Sequence, residues 1–563
     1  MNTGVLRRED EPLLRGQGTF IDGLRDPALA RAYHAVFVRS LEPHARLLSV
    51  DASDAVARPG VIGVFTAADI DIWPLPPRLP MMNKAMYRPM LADGVVRFVG
   101  EPIAIVVASS VPQGFDAAEA VIVEYGSLPA VVDLEDSQRD QVLLHPHANT
   151  NVSFKWTSPP FATDPFAACE AVVGLSVRHP RLTPAPIEPR AGAAVWTPEG
   201  RCVSWVCSQR PAGAKYVIEC ALGLEPGTVR AIAPDVGGGF GAKGGYGCYP
   251  EDVVLAWIAR HLAHAVRWCE TRSEAMVAMG HGRASTHRVR IGGMLDGTIR
   301  AYEAHALQDS GAYPSMGTFI TNNLKNSGTG VYAIPEAVVS GVSGRIGGVR
   351  CGPGRSPGRS PTGRRSTQAN IDDVVADVTR GSFYVAGVPS RSLTWADLGT
   401  IDATCEFKPV GGTFAFGACL AAVEVDTETG VVTIRSLVTV DDAGTLLQPM
   451  IAQGKVHGGL GLAVAAVLLE EMAYGDDGVP RTTNLADYPL ISAAELPNFE
   501  THEMETPSPW NPLGVKGIGE SGTVVGTPAI HSAAIDALSF FGVQHLDLPC
   551  TPERVWRAIN DMA

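Results

Sequence analysis

An α+β fold divided among several packed units is what this sequence predicts, and three observations carry that prediction. The chain has 563 residues, more than a single hydrophobic core serves. It is 45% hydrophobic and only 18% charged, a balance suited to buried globular packing rather than disorder. Short apolar runs of strand length stand among segments of helical periodicity along most of its length.

The bulk properties also exclude some functions. A net charge of −14 argues against a general affinity for nucleic acid or anionic membrane. The start, residues 1–10, lacks the apolar core of a signal peptide. The most apolar helical run, Gly458 to Leu469, is too short to cross a bilayer. A cytoplasmic protein with no membrane span is therefore expected. The ten cysteines form no CxxC pair and no Cys/His cluster, with Cys202 and Cys207 the closest two. No side chains are assigned as metal ligands, and electrons leaving any redox centre here need another chain to carry them.

In chain order, residues 1–140 read as a compact α+β unit. Ala35–Val38 and Ile103–Ala108 have the composition of short buried strands, and Asp116–Val121 that of a helix between strand signals. Residues 141–165 read as a linker, punctuated from Pro159 to Pro165. The next unit, 166–340, contains a strand at Thr228–Ala233, the run Asp235-Val-Gly-Gly-Gly-Phe-Gly-Ala-Lys-Gly-Gly245, and a helix at Pro250–Arg260 with acids at its start and a base at its end. Strand, glycine loop and helix in that order aim backbone N–H groups at an anion. This is not a Walker loop, because Ala242 precedes Lys243. Gly239 to Gly244 does match GxGxxG, and Glu270 ends a plausible next strand, so nicotinamide dinucleotide binding stays open. Against it, the helix starts about six residues after the last glycine.

Residues 341–370 break the pattern. Gly344 to Arg365 is a basic Gly/Pro/Ser/Arg run without apolar periodicity, inside an otherwise acidic chain. From 371 to 563 regular signals return. Ala422–Gly430 reads as a strand and hairpin turn, Val456-His-Gly-Gly459 opens an apolar helix, and Thr527-Pro528 opens another that ends at Gly542. Thr551–Arg557 closes the chain as a short docking helix.

One carboxylate stands out. Glu520 lies in Asn511-Pro-Leu-Gly-Val-Lys-Gly-Ile-Gly-Glu-Ser-Gly522, where Gly514, Gly517, Gly519 and Gly522 remove side chains around it. A lone Glu so placed is a candidate general base. The competing reading on these residues is structural, a Glu shortly before a helix answering its dipole.

Gly514 to Gly522 resembles the C-terminal active-site signature of the large, molybdenum-binding subunits of the xanthine dehydrogenase and aldehyde oxidase family. Asp235 to Lys243 resembles that family's pterin-cofactor loop, and Ser208-Gln209 its Ser/Thr-Gln pair. Residues 8–18, 39–46 and 99–102 are similar, in order, to its opening a/b hammerhead domain, and Glu188-Pro-Arg190 to a landmark near its cofactor entrance. The resemblance covers nearly all of 8–340 and 371–560. It implies a hammerhead domain followed by two molybdopterin-binding domains, the second truncated.

It further implies a catalytic base at Glu520, with Gln209, Gly238, Gly239, Phe240, Gly241, Gly517, Gly519, Ser521 and Gly522 around a molybdenum–molybdopterin, in the cytosine dinucleotide form. Such an enzyme hydroxylates an aldehyde or an N-heterocycle with oxygen from water. Its electrons leave through an iron–sulfur small subunit and an FAD-binding medium subunit. Gly244 stands where purine hydroxylases carry a Glu, which disfavours xanthine.

Two departures qualify the picture. Gly461-Leu462-Ala463 stands where the family has Ala-Gln-Gly. The junction lacks a Pro-Tyr-Arg-Gly-like turn, although codons able to encode Val342 onward can spell it in a shifted frame. A frameshift or deletion near residue 340 is the expectation, and a catalytically inactive remnant that keeps only subunit docking is the alternative reading.

Overall fold

The computed structural model describes residues 7, 9–75, 80–244, 247–319, 321–322, 324, 328–330, 332–344 and 412–561. The expected frameshift junction falls almost wholly outside them.

Four sheets organise the described chain. The largest has seven strands in the spatial order Val229–Ile232, Cys202–Val206, Ala191–Trp196, Val266–Cys269, Tyr33–Arg39, Pro102–Ala108 and Val61–Thr66. Its first four strands come from the middle of the sequence and its last three from the first 110 residues. The join is the parallel pair Tyr33↔Val266 and His34↔Arg267. Pro102–Ala108 is buried along its whole length, as its unbroken apolar run requires.

Against this sheet packs the helix Pro250–His261, buried from Pro250 to Ala259. Val254, Leu255 and Ile258 meet Ile105, Val107, Ala194 and Ile218 in one core. Each such side chain contributes about 1.5–3 kcal/mol by leaving water. A small three-stranded sheet of Val95–Val96, Ala45–Asp51 and Ile122–Ser127 lies beside it. The helix expected at Asp116–Val121 is instead Val111–Ala118. Ser110 stands at its N-cap and Pro112 sits in its first turn, so it starts where proline costs no hydrogen bond.

A five-stranded sheet follows, ordered Phe154–Thr157, Glu336–Gly344, Ile299–Asp309, Ser285–Gly293 and Ala171–His179. The C-terminal part is a three-stranded sheet of Phe416–Val425, Val432–Asp442 and Phe499–Met504, covered by two long helices. Both helices start earlier than expected. The first is Pro449–Leu468, of which the run from Gly458 is only the second half. The second is Ser521–Leu538, with Pro528 inside it rather than at its start.

At 20 and 18 residues, each helix is long and apolar enough to cross a bilayer by length and composition only, so the short run from Gly458 understates the helix it belongs to. Their apolar side chains are used in a shared core, where Val456, Leu460, Val464 and Val467 meet Ile530, Ala534 and Leu538. Glycines set the crossing. A Cβ on Gly522 would lie 2.6 Å from the Val456 carbonyl oxygen and 2.9 Å from the Leu460 nitrogen.

Candidate active site

The glycine loop leaves the sheet at a place that chain topology prepares. Cys202–Val206 and Val229–Ile232 are parallel neighbours, so the segments after them emerge on the same edge. Ligands of open α/β sheets gather at the carboxyl ends of such strands. Ser208-Gln209 follows the first strand and residues 233–249 follow the second.

Gln209 closes onto the loop. Its Oε1 accepts the Gly241 N–H at 3.0 Å, while its own N–H donates to the Lys243 carbonyl at 3.0 Å. A Cβ on Gly239 would come within 2.6 Å of the Gln209 Cγ, which explains the glycine there. Gly238 has φ 98° and Gly241 φ 84°, and Phe240 between them holds φ 46° and is 41% exposed. A left-handed non-glycine residue costs about 1 kcal/mol or more and marks a segment whose surroundings fix it.

Below the loop lies a buried charge system. Lys243 Nζ donates to the Glu188 carbonyl at 2.7 Å and to its Oε2 at 3.0 Å, and the same Oε2 accepts the Gly237 N–H at 2.7 Å. Burial pushes the adjacent Cys207 thiol up to about 12, so it is no nucleophile. Arg190 pairs with Glu270 at 2.5 Å and Glu251 at 3.2 Å, and Arg39 with Glu251 at 3.0 Å and Glu274 at 2.7 Å. Glu270 is thus committed to an arginine rather than free for a ribose. With the helix starting only at Pro250, the dinucleotide reading of Gly239–Gly244 loses its geometry.

Glu520 sits at the N-cap of Ser521–Leu538 and makes no side-chain capping hydrogen bond. Its approach segment is tied to the end of Val432–Asp442. Lys516 Nζ lies 3.0 Å from Asp442 Oδ1, Lys516 N–H donates to the Ala443 carbonyl at 2.8 Å, and the Ser521 hydroxyl donates to Asp441. Burial pushes the Asp442 carboxyl up, but Thr506, the Gly444 N–H and Lys516 together hold it down at about 2. The four C-terminal candidates therefore separate. Among the described residues, a Cβ on Gly517 or Gly519 would meet no atom within 4 Å, while Ser521 is engaged with Asp441 and Gly522 serves the helix crossing.

One short segment connects the two halves. Met279 packs with Ala242, Ala275 and Tyr249, and the Tyr249 hydroxyl donates to the Ala242 carbonyl at 2.8 Å. Four residues on, the Arg283 guanidinium stands 4.0 Å from the Glu520 carboxylate. Four residues of backbone reach about 14 Å at most, so the glycine loop and Glu520 lie at the two ends of one brief stretch. Sequence reasoning missed Arg283. The available signal was Gly280-His-Gly-Arg283, a basic residue in a glycine-flanked turn.

Residues 144–377 match a molybdopterin cofactor-binding domain, residues 361–497 a second such domain, and residues 16–129 the aldehyde oxidase and xanthine dehydrogenase a/b hammerhead domain. The chain belongs to the xanthine dehydrogenase and aldehyde oxidase family, as a molybdopterin-binding large subunit. Its class is that of the molybdenum hydroxylase oxidoreductases. It is 25% identical to the nicotine 6-hydroxylase large subunit of Paenarthrobacter nicotinovorans, over 98% of this chain and 94% of that one. It is 24% identical to the carbon monoxide dehydrogenase large chain of Hydrogenophaga pseudoflava, over 100% and 97%. Quinoline 2-oxidoreductase from Pseudomonas putida 86 shares the fold with a TM-score of 0.85 at 23% identity, covering 100% of this chain and 98% of its own. The first alignment runs over 770 positions although this chain has 563 residues, so the relative carries a substantial length that this family member lacks.

Histidines lie behind Arg283. His179 and His287, on paired strands, have ring centroids 5.3 Å apart, and His531, on the helix that Glu520 heads, stands nearby with His545. Burial, then His287, Arg283 and His531, push His179 down to about 4, with Asp547 opposing. An unfolded His takes its proton near 6.5. The stability tied to neutral His179 is thus complete above about 6.5 and lost as pH falls towards about 4, on the order of 3 kcal/mol. Thermal midpoints from pH 7 to 4 should fall less steeply in His179→Gln than in the natural protein; equal slopes would contradict this.

Proposed function

We propose that this subunit carries the active site of a molybdenum hydroxylase that oxidises an aldehyde or an electron-poor carbon of an N-heterocycle, using water as the oxygen source. The observation that carries it is the joining of a glutamate at a helix head to a glycine loop clasped by Gln209, through Met279–Arg283. The residues suit the molybdenum–pterin group. Gly517 and Gly519 leave room on the Glu520 side, and Phe240 is exposed on the side of the glycine loop. With its oxygen occupied by Gly241, Gln209 has its amide NH₂ to donate.

When bound, the molybdenum group supplies the transferable oxygen and takes up the electron pair of the oxidised carbon. Glu520 removes a proton as general base. Gln209 and the loop backbone hold the group by hydrogen bonds. Lys243, neutralised by Glu188, stiffens the loop from beneath. We assign Gly238, Gly239, Phe240 and Gly241 to one wall and Gly517, Gly519 and Ser521 to the other, Ser521 acting through Asp441.

The cofactor is assigned as the cytosine dinucleotide form, and the partners as an iron–sulfur small subunit and an FAD-binding medium subunit, in the cytoplasm. Support for an N-heterocycle comes from the relative named as nicotine 6-hydroxylase, although a carbon monoxide dehydrogenase matches over as much of the chain. The length missing relative to such proteins is assigned to the junction at 341–370, which leaves the second cofactor-binding domain, 371–563, shortened.

That missing length supports one other reading, a remnant that docks partner subunits without holding molybdenum. Metal and nucleotide analysis of the purified assembly separates the two. About one molybdenum and one CMP released per chain is expected; a folded, partner-bound chain free of both would establish the remnant.

A further inference from the structure

Arg283 combines three features that a surface arginine lacks. Its backbone is left-handed at φ 75°, a conformation that persists in a non-glycine residue only where the surroundings impose it. Its side chain is 27% exposed, and its Nε and Nη2 are buried without a hydrogen-bond partner among the described residues. Its Nη2 stands 4.0 Å from Glu520 Oε2, close enough for charge attraction and too far for a hydrogen bond.

The Glu520 side chain is only 15% exposed. Burial disfavours a charged carboxyl, and an opposite charge within about 4–6 Å restores it. The positive end of the helix it heads acts in the same direction. Burial pushes the Arg283 guanidinium down, and the charges opposing that are Glu520 first and Glu470 second. His179, on a neighbouring strand, also faces this guanidinium.

We propose that Arg283 is a positioning residue for Glu520, its guanidinium keeping the carboxylate charged and fixed in direction at the head of helix Ser521–Leu538. This rests on reading Glu520 as the general base. Arg283 reaches the base from the far end of the segment that packs on the glycine loop. A shift of that segment would therefore move loop and base together.

The test uses the assembled enzyme with Arg283→Gln, Arg283→Gly and Arg283→Lys. Glycine suits a positive φ, so Arg283→Gly removes the charge without adding backbone strain. In both neutral variants the acid limb of the kcat/KM profile should move to higher pH, and Arg283→Lys should leave it in place. Neutral variants with an unmoved limb would overturn the proposal.

A second readout needs no turnover. Thermal midpoints of the natural protein, Arg283→Gly, Glu520→Gln and the double variant form a cycle. The double variant should lose less than the two single losses combined, because the attraction between the two charges is removed by either single change and cannot be lost twice. Additive losses, or failure of both neutral variants to fold even in the Glu520→Gln background, would make Arg283 a structural residue only. Coupled midpoints together with full turnover in Glu520→Gln would retain the ion pair and remove the general-base reading.

Discussion

Glu520→Gln should lower turnover by about a thousandfold, within the range that a positioned general base contributes, while molybdenum content stays at the natural level. Glutamine keeps the shape and a hydrogen-bonding carbonyl but cannot take a proton. Glu520 makes no capping hydrogen bond to its helix, so the substitution removes no cap, and Ser521 keeps the helix start tied to Asp441. Loss of activity at unchanged cofactor content separates a chemical role from a structural one. Metal analysis beside steady-state kinetics on the same preparation makes the comparison. Loss of metal and activity together would make Glu520 a structural residue.

The second large effect is on folding. Gly522→Val should destabilise the C-terminal part by about 3 kcal/mol, at the upper end for inserting atoms into a packed core. The added Cβ would meet backbone atoms of the facing helix at 2.6 and 2.9 Å, and backbone cannot rotate out of the way as a side chain can. Gly459 makes the reciprocal approach, where a Cβ would lie 3.0 Å from the Thr523 nitrogen. Gly519→Ala is the control. With nothing within 4 Å among the described residues, it should leave the thermal midpoint unchanged and lower molybdenum content instead. Equal midpoints for the two variants would contradict the division of these glycines into packing and site roles.

Local features were legible in the sequence and distant ones were not. The glycine loop, the strand before it and Pro250 at the helix start are all written between Val229 and Pro250, so their arrangement follows from turn and capping chemistry. Gln209 was legible only through its Ser-Gln context, since an isolated glutamine carries no signal. The helix at Ser521 was misplaced because Thr527-Pro528 has the form of a first turn. Inside the helix, Pro528 removes a single backbone hydrogen bond.

The union of strands from the first 110 residues with strands near 200 and 266 leaves no periodic trace. It depends on parallel pairing across more than 200 residues. The pairing of Arg283 with Glu520 was invisible for the same reason. The local glycines around Arg283 mark the residue, but its relation to Glu520 is made by packing between remote segments.

Anomalous diffraction at the molybdenum edge from crystals of the assembled enzyme tests the central claim most directly. We expect a single strong peak between the Phe240 ring and the Glu520 carboxyl, on the Gln209 side of the glycine loop. A peak elsewhere in the subunit, or a fully loaded enzyme in which Phe240 and Glu520 do not flank the same peak, would contradict it.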